Sequence, residues 1–149
     1  MTKLTISIFG STGSVGKTTL NIIRENKEKF DVKVLTANNN INDLISLANE
    51  FNPDAICFAN ESDLDQVKKK INSNKIEYYI GEIGLLECAK ITSDIVIAGI
   101  VGLAGLPPLL ESIRNSKKVC IANKECFVSA GSLIVNEAKK HKTQILPLD

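Results

Sequence analysis

The sequence predicts an α/β fold, a doubly wound and mostly parallel sheet with helices on both faces. Three observations carry that prediction. An apolar, β-branched run at Ile6–Phe9 enters a turn with glycines at Gly10, Gly13 and Gly16 and leaves it as an amphipathic segment. Apolar runs of strand length then alternate with stretches of helical periodicity to the end of the chain, the pattern of consecutive βαβ units. Several of these runs end in glycines or clustered polar side chains, and open α/β sheets bind their ligands at the carboxyl ends of strands.

At 149 residues, 44% hydrophobic and 23% charged, the chain has the length and make-up of one globular domain with its own core. Its 18 basic and 17 acidic side chains nearly cancel, so no global field attracts nucleic acid or an anionic membrane, and any anion site must be local. The glycine turn interrupts the first apolar run before it reads as a secretion signal, and no run has the length of a membrane span, so the expected location is cytoplasmic. Cys57, Cys88, Cys120 and Cys126 contain no Cys-x-x-Cys pair and read as buried free thiols. His141, the single histidine, sits among Lys139, Lys140 and Lys142 at the solvated end of a helix, which argues against histidine-centred catalysis.

The glycine turn is a phosphate cradle by construction, because glycine permits close backbone approach and the next helix points unpaired N–H groups at an anion. Two motifs share it. Ser11–Thr18 reads Ser-x-x-x-x-Gly-Lys-Thr, a Walker A sequence without its first glycine, whereas Gly10, Gly13 and Gly16 have the spacing of a dinucleotide turn. A strand-to-helix turn that binds nothing is the third possibility. Val15, Thr19, Ile22 and Ile23 form the expected apolar stripe of the helix that follows.

Phe30–Ala37 reads as the second strand and runs into Asn38, Asn39 and Asn40. In a dinucleotide fold this strand end meets the adenosine ribose, where an acidic residue favours NAD. Three amides cannot repel a 2′-phosphate and can donate hydrogen bonds to it, so NADP is the expected cofactor; an asparagine there also suits the cap of the next helix. Leu44, Leu47, Ala48 and Phe51 mark that helix, Asn52-Pro53 ends it, and Asp54–Ala59 is a buried third strand. Leu64, Val67 and Ile71 mark a third helix with Lys68–Lys70 on its solvated face; Glu77–Gly81 is a short strand and Ile83–Ala89 a short helix.

Asp94–Pro108 holds a strand and a loop with Gly99, Gly102 and Gly105, then Pro107 and Pro108 in the first turn of a helix. Such a loop suits a flat ring lying against it or a close approach of helix and sheet. Lys118–Ala122 is a strand ending in Asn123, Lys124 and Glu125, followed by a helix lined by Phe127, Ala130, Ile134 and Ala138. Asn123 suits a turn and Glu125 a first helical turn, but a cation at Lys124 opposes the helix dipole and suits an anionic ligand. Thr143–Leu148, with Pro147, reads as an edge strand, and Asp149 stands just beyond it, so the expectation is one domain of a longer protein.

Gly10-Ser-Thr-Gly-Ser-Val-Gly16, Gly99-Ile-Val-Gly-Leu-Ala-Gly105, Ala122-Asn-Lys-Glu125 and Leu146-Pro-Leu-Asp149, in this order, resemble the 1-deoxy-D-xylulose 5-phosphate reductoisomerase family along the whole chain. The resemblance implies a Rossmann-like, amino-terminal NADPH-binding domain over residues 1–149, inactive without the catalytic, dimerisation and C-terminal regions. It implies an enzyme, an oxidoreductase and isomerase that converts 1-deoxy-D-xylulose 5-phosphate to 2-C-methyl-D-erythritol 4-phosphate in isoprenoid synthesis, with NADPH and a divalent Mg or Mn ion, as a homodimer. By position it implies that Thr12, Gly13, Ser14 and Val15 hold the pyrophosphate and that Asn38, Asn39 and Asn40 surround the 2′-phosphate. Asn123 and Glu125 would meet the nicotinamide end, Lys124 would bind substrate, and Asp149 would be the first metal ligand. Where the family has glycine and then a basic residue, this chain has Asn38 and Asn39, which predicts a weakened preference for NADP over NAD. The competing readings are a P-loop nucleotide hydrolase, carried by Gly16-Lys17-Thr18, and a non-enzymatic α/β interaction module. Against the hydrolase, Asp94 precedes its strand, whereas a Walker B acid follows one.

Overall fold

The computed structural model describes residues 2–148. Seven strands, β1 (Leu4–Phe9), β2 (Phe30–Thr36), β3 (Ala55–Phe58), β4 (Glu77–Ile80), β5 (Ser93–Ala98), β6 (Ser116–Ile121) and β7 (Gln144–Pro147), form one sheet in the order β4-β3-β2-β1-β5-β6-β7. Every neighbouring pair is parallel. Six helices make the crossovers: α1 (Ser14–Glu25), α2 (Ile41–Phe51), α3 (Leu64–Lys70), α4 (Gly81–Ala89), α5 (Leu106–Asn115) and α6 (Lys124–His141). The strand order is that of a Rossmann fold with β4 added at one edge. No helix among the described residues is long and apolar enough to cross a membrane.

Strands covered on both faces are apolar at consecutive positions, as at Ala55–Phe58 of β3, Ile95–Ala98 of β5 and Val119–Ile121 of β6. Side chains on one face, including Ile6, Ile8, Ile56 and Phe58, pack with Leu20 and Ile23 of α1, Leu44 and Ala48 of α2 and Val67 of α3. Phe9, Ala55, Val96 and Val119 on the other face pack with Cys88 of α4, Leu109 and Ile113 of α5 and Ile134 of α6. The chain thus winds outward from β1 on one face, crosses back to β5, and winds outward on the other.

One irregularity re-phases β2. Ile6 lies opposite Val32, but Ser7 lies opposite Val34, so Lys33 is an extra residue in the ladder. Val32 and Val34 therefore belong to opposite cores, where an unbroken strand would place both in one. Thr36, two residues beyond Val34, follows that second phase.

Element boundaries shift by a few residues from those read in the sequence, and two expectations need correction. Ile22 of α1 is exposed; the buried stripe is Gly16, Leu20 and Ile23, and Gly16 lets the helix start lie against the backbone of the Gly10–Ser11 turn. Asp94 is the second residue of β5 and does not precede it. Its carboxylate accepts hydrogen bonds from the Thr5 N–H (2.9 Å) and Thr5 hydroxyl (3.1 Å) and pairs with Lys117 (3.2 Å), tying together the amino ends of β1, β5 and β6.

A Cβ built on Gly16 would meet the Gly10 carbonyl oxygen at 2.5 Å and Ser11 backbone carbon at 2.7 Å, contacts that no side-chain motion relieves. Gly16→Ala is expected to cost about 1–3 kcal/mol through this overpacking, read as a lower urea midpoint. The Thr5 N–H bond, then Lys117, hold the Asp94 carboxyl below its ordinary pKa of 3.8. Its contribution to stability is complete above that value and disappears as pH falls through the lower native one. Asp94→Asn should therefore flatten the acid limb of the stability profile below pH 4 and leave its shape at neutral pH unchanged.

Candidate functional site

The winding direction reverses between β1 and β5, and the carboxyl ends of these two strands border a crevice. Gly10 closes β1 at φ +81°, a left-handed conformation open to glycine, and a Cβ there would lie 2.8 Å from the Gly99 carbonyl oxygen. The Gly99 N–H donates to the Phe9 carbonyl at 2.9 Å, so the two chain segments leave the sheet in backbone contact.

Thr36 at the end of β2 fixes the turn. Its hydroxyl accepts from the Gly10 N–H (2.9 Å), and its carbonyl accepts from both the N–H (2.8 Å) and the hydroxyl (2.7 Å) of Ser11. Ser11 is buried and faces β2, not the crevice. In a Walker A loop this residue would open the wrap around the phosphates, so the P-loop reading does not fit the turn's geometry. Lys17 points away as well, toward Asp43 of α2 at 3.6 Å.

The N-terminus of α1 is left open. Gly13 is its cap residue with no side-chain hydrogen bond, no acid stands in the first turn, and Gly13 and Ser14 are exposed beside half-buried Thr12 and Val15. Among the described residues nothing else caps this end, whose N–H groups and dipole favour an anion. The other two helices that start at this edge after β2 and β6 differ. Asn40 caps α2, its side-chain oxygen accepting from the Asp43 N–H at 3.4 Å while its amide donates to the Asp43 carboxylate at 2.9 Å. Asn39 accepts from the Asn60 amide at 3.4 Å and the Asn38 carbonyl from the Ala59 N–H at 3.2 Å. All three side chains remain exposed at the end of β2.

Across the crevice, Asn123 is buried and uses its whole side chain. Its amide donates to the carbonyls of Ile100 (2.9 Å) and Gly102 (2.6 Å), and its oxygen accepts from the N–H groups of Glu125 (3.0 Å) and Cys126 (3.4 Å). It caps α6 and clamps the β5 loop in one move. Lys124 and Glu125 stand exposed in the first turn of α6. This turn belongs to a short arm of the helix, which kinks at Ala130 (φ −142°, ψ 30°). The structure thus aligns Asn38–Asn40, the glycine turn, the β5 loop and Asn123–Glu125 along one sheet edge, across three inter-strand steps of about 4.8 Å each.

Asp149 lies outside the described residues, and among those described no three His, Cys, Asp or Glu side chains gather as metal ligands. A cleft of about 580 Å³, lined by Asp54, Lys75 and Glu77 among others, opens at the amino ends of β3 and β4, the wrong edge for a ligand of this fold. All four cysteines are buried and free. Donating a hydrogen bond to Cys57 raises the Cys88 thiol pKa, and burial raises those of Cys120 and Cys126, so these three thiols are inert. His141 is exposed at the end of α6, 3.3 Å from Glu137. Sequence reasoning missed Thr36 and the Lys17–Asp43 pair, because both contacts join residues about 25 apart and the motif that contains Lys17 does not say which way its side chain points; only the polar end of an apolar strand hinted at Thr36.

Asn123→Ala would strip side-chain partners from two carbonyls and two N–H groups. The expected loss of stability is about 1–3 kcal/mol, and amide hydrogen exchange should accelerate at both Gly102 and Glu125, on either side of the clamp.

With this geometry in place, comparison with known proteins is specific. Residues 6–131 match the family model described as 1-deoxy-D-xylulose 5-phosphate reductoisomerase. The chain is 40% identical over 148 residues to the enzyme of that name from Bacteroides fragilis, covering 99% of this chain and 38% of the relative. It is 37% identical over 145 residues to the Zymomonas mobilis enzyme, covering 97% and 37%. The solved structure of the Zymomonas mobilis reductoisomerase in complex with NADPH superposes with a TM-score of 0.94 at 36% identity, covering 99% of this chain and 39% of that one. A reductoisomerase structure in complex with NADPH, fosmidomycin and magnesium gives 0.89 at 37% identity, covering 97% and 36%. Staphylococcus aureus homoserine dehydrogenase, at 18% identity and a TM-score of 0.59, shares the fold alone. The chain therefore spans little more than a third of its curated relatives, and over that span it belongs to the 1-deoxy-D-xylulose 5-phosphate reductoisomerase family.

Proposed function

We propose that residues 1–149 are the NADPH-binding domain of an enzyme that converts 1-deoxy-D-xylulose 5-phosphate to 2-C-methyl-D-erythritol 4-phosphate. The observation that carries this reading is the open N-terminus of α1 at the β1/β5 switch point, with Asn38–Asn40 at the strand end on one side and Asn123–Glu125 on the other. The donor set suits the cofactor. Exposed backbone at Gly13 and Ser14, flanked by Thr12 and Val15, receives the pyrophosphate, where the helix dipole and free N–H groups offset its charge. Asn38, Asn39 and Asn40 donate amide hydrogen bonds to the adenosine 2′-phosphate.

NADPH, when bound, supplies the hydride that reduces the rearranged aldehyde. The protein's share is placement. Asn123 holds the β5 loop flat against the sheet so that Gly99–Gly102 form one wall for the nicotinamide, with Asn123 and Glu125 at that end of the cofactor. Lys124, a cation with no ion-pair partner in the described structure, takes the anionic substrate. The metal, Mg or Mn, falls to Asp149 and to carboxylates from the remainder of the enzyme, which also supplies the dimer contacts. The complete enzyme works in the cytoplasm, and this chain alone binds cofactor without turnover.

The test is a fluorescence titration of the chain with NADPH. Saturable binding is expected, and none up to millimolar concentration would refute the reading. Ser14→Glu gives a sharper check: an acid in the first turn complements the helix dipole and should leave the melting temperature unchanged or raised. At the same time its charge should repel the pyrophosphate and weaken NADPH binding by roughly tenfold or more.

A further inference from the structure

Three neutral amides at the end of β2 leave the doubly charged 2′-phosphate without the cation that such a group ordinarily pairs with. The structure brings one in from another element. Lys17 stands on the first turns of α1, and its ammonium lies 3.6 Å from the same Asp43 carboxylate oxygen that accepts the Asn40 amide at 2.9 Å. One carboxylate oxygen thus joins Lys17 to the Asn38–Asn40 turn. Both charged side chains are about half exposed, at 59% and 47%, so the pair is loose and free to rearrange.

We infer that Lys17 is the specificity residue for the 2′-phosphate, its ammonium shared between Asp43 and the phosphate held by Asn38, Asn39 and Asn40. The inference rests on the cofactor reading above. Asp43 gives it a direction as well as a location. This carboxylate sits in the first turn of α2, beside the amides, and by itself would repel a second anion. Lys17 turns that repulsive neighbour into half of an ion pair, and with Lys17 removed the acid would favour a cofactor with a free 2′-hydroxyl, as acids at this strand end do. Lysine at this position has no part in a phosphate wrap, because the turn is pinned to Thr36 and the side chain leaves toward α2.

The test is titration of this chain and its Lys17→Ala, Lys17→Arg and Asp43→Asn variants with NADPH and, separately, with NADH. Lys17→Ala should weaken NADPH roughly five- to tenfold and NADH less than twofold. Lys17→Arg should keep the wild-type ratio. Asp43→Asn, which retains an acceptor for the Asn40 amide, should shift the ratio toward NADPH. Since Lys17 and Asp43 are both half exposed, melting temperatures should stay at the wild-type value. An equal loss for both cofactors in Lys17→Ala would place Lys17 at the pyrophosphate and overturn the inference, as would no loss for either, while leaving NADPH binding by the domain standing. No saturable binding of either cofactor by the unmodified chain would overturn the domain reading together with this one.

Discussion

The backbone of Gly10 lies against that of Gly99, and the rest of the carboxyl edge depends on that contact. It is possible only because neither position carries a Cβ: one built on Gly10 would stand 2.8 Å from the Gly99 carbonyl oxygen, and one on Gly99 would stand 2.9 Å from that of Phe9. From this point the structure is determined outward in both directions. Thr36 ties the β1 turn to β2 through three hydrogen bonds. Asn123 ties the β5 loop to α6 through four. The crevice is therefore a backbone surface held from its flanks by buried polar side chains, with its interior left to a ligand.

Three helices beginning at this edge show how the same physical problem has two solutions. Every helix start has unpaired N–H groups that must find an acceptor. In α2 and α6 an asparagine provides it from within the chain, and in α1 a glycine provides nothing. Of these three, the start without a side-chain cap is the one that follows β1 at the switch point, where a pyrophosphate would complete the hydrogen bonding that the chain omits. The asparagines hold the neighbouring segments in place without adding charge of their own, and Lys17 of α1 reaches the β2 end through its pair with Asp43.

Most of the fold was legible from one residue to the next. Apolar runs at β3, β5 and β6 and the β-branched stretch at β1, together with helical periodicity between them, pointed to a buried parallel sheet, and the Asn38–Asn40, Gly99–Gly105 and Asn123–Glu125 segments were recognisable as strand ends. The asparagines at 40 and 123 were legible as cap residues because capping is local. Periodicity misassigned one face, at Ile22, because it ranks side chains by hydrophobicity and overlooks the glycine at 16, which is buried against the Gly10–Ser11 turn. It gave no sign of the extra residue at Lys33, since a bulge in a parallel ladder leaves the composition of the strand unchanged.

The sequence by itself determined which segments are strands, which turns favour phosphate and, through four short motifs in order, the family. Local propensity, side-chain periodicity and backbone permissiveness are properties of neighbouring residues, so they survive in one dimension. Only the tertiary structure decided that Ser11 faces β2, that the Asn123 side chain is spent on clamping a loop, and that Lys17 leaves its Walker-like context for Asp43. Each of these turns on a contact between elements, and the phase of a helix or strand against its neighbour is set by packing of the whole sheet. A Gly-Lys-Thr tripeptide names the residues of a phosphate loop; where the lysine points depends on which strand the turn is tied to.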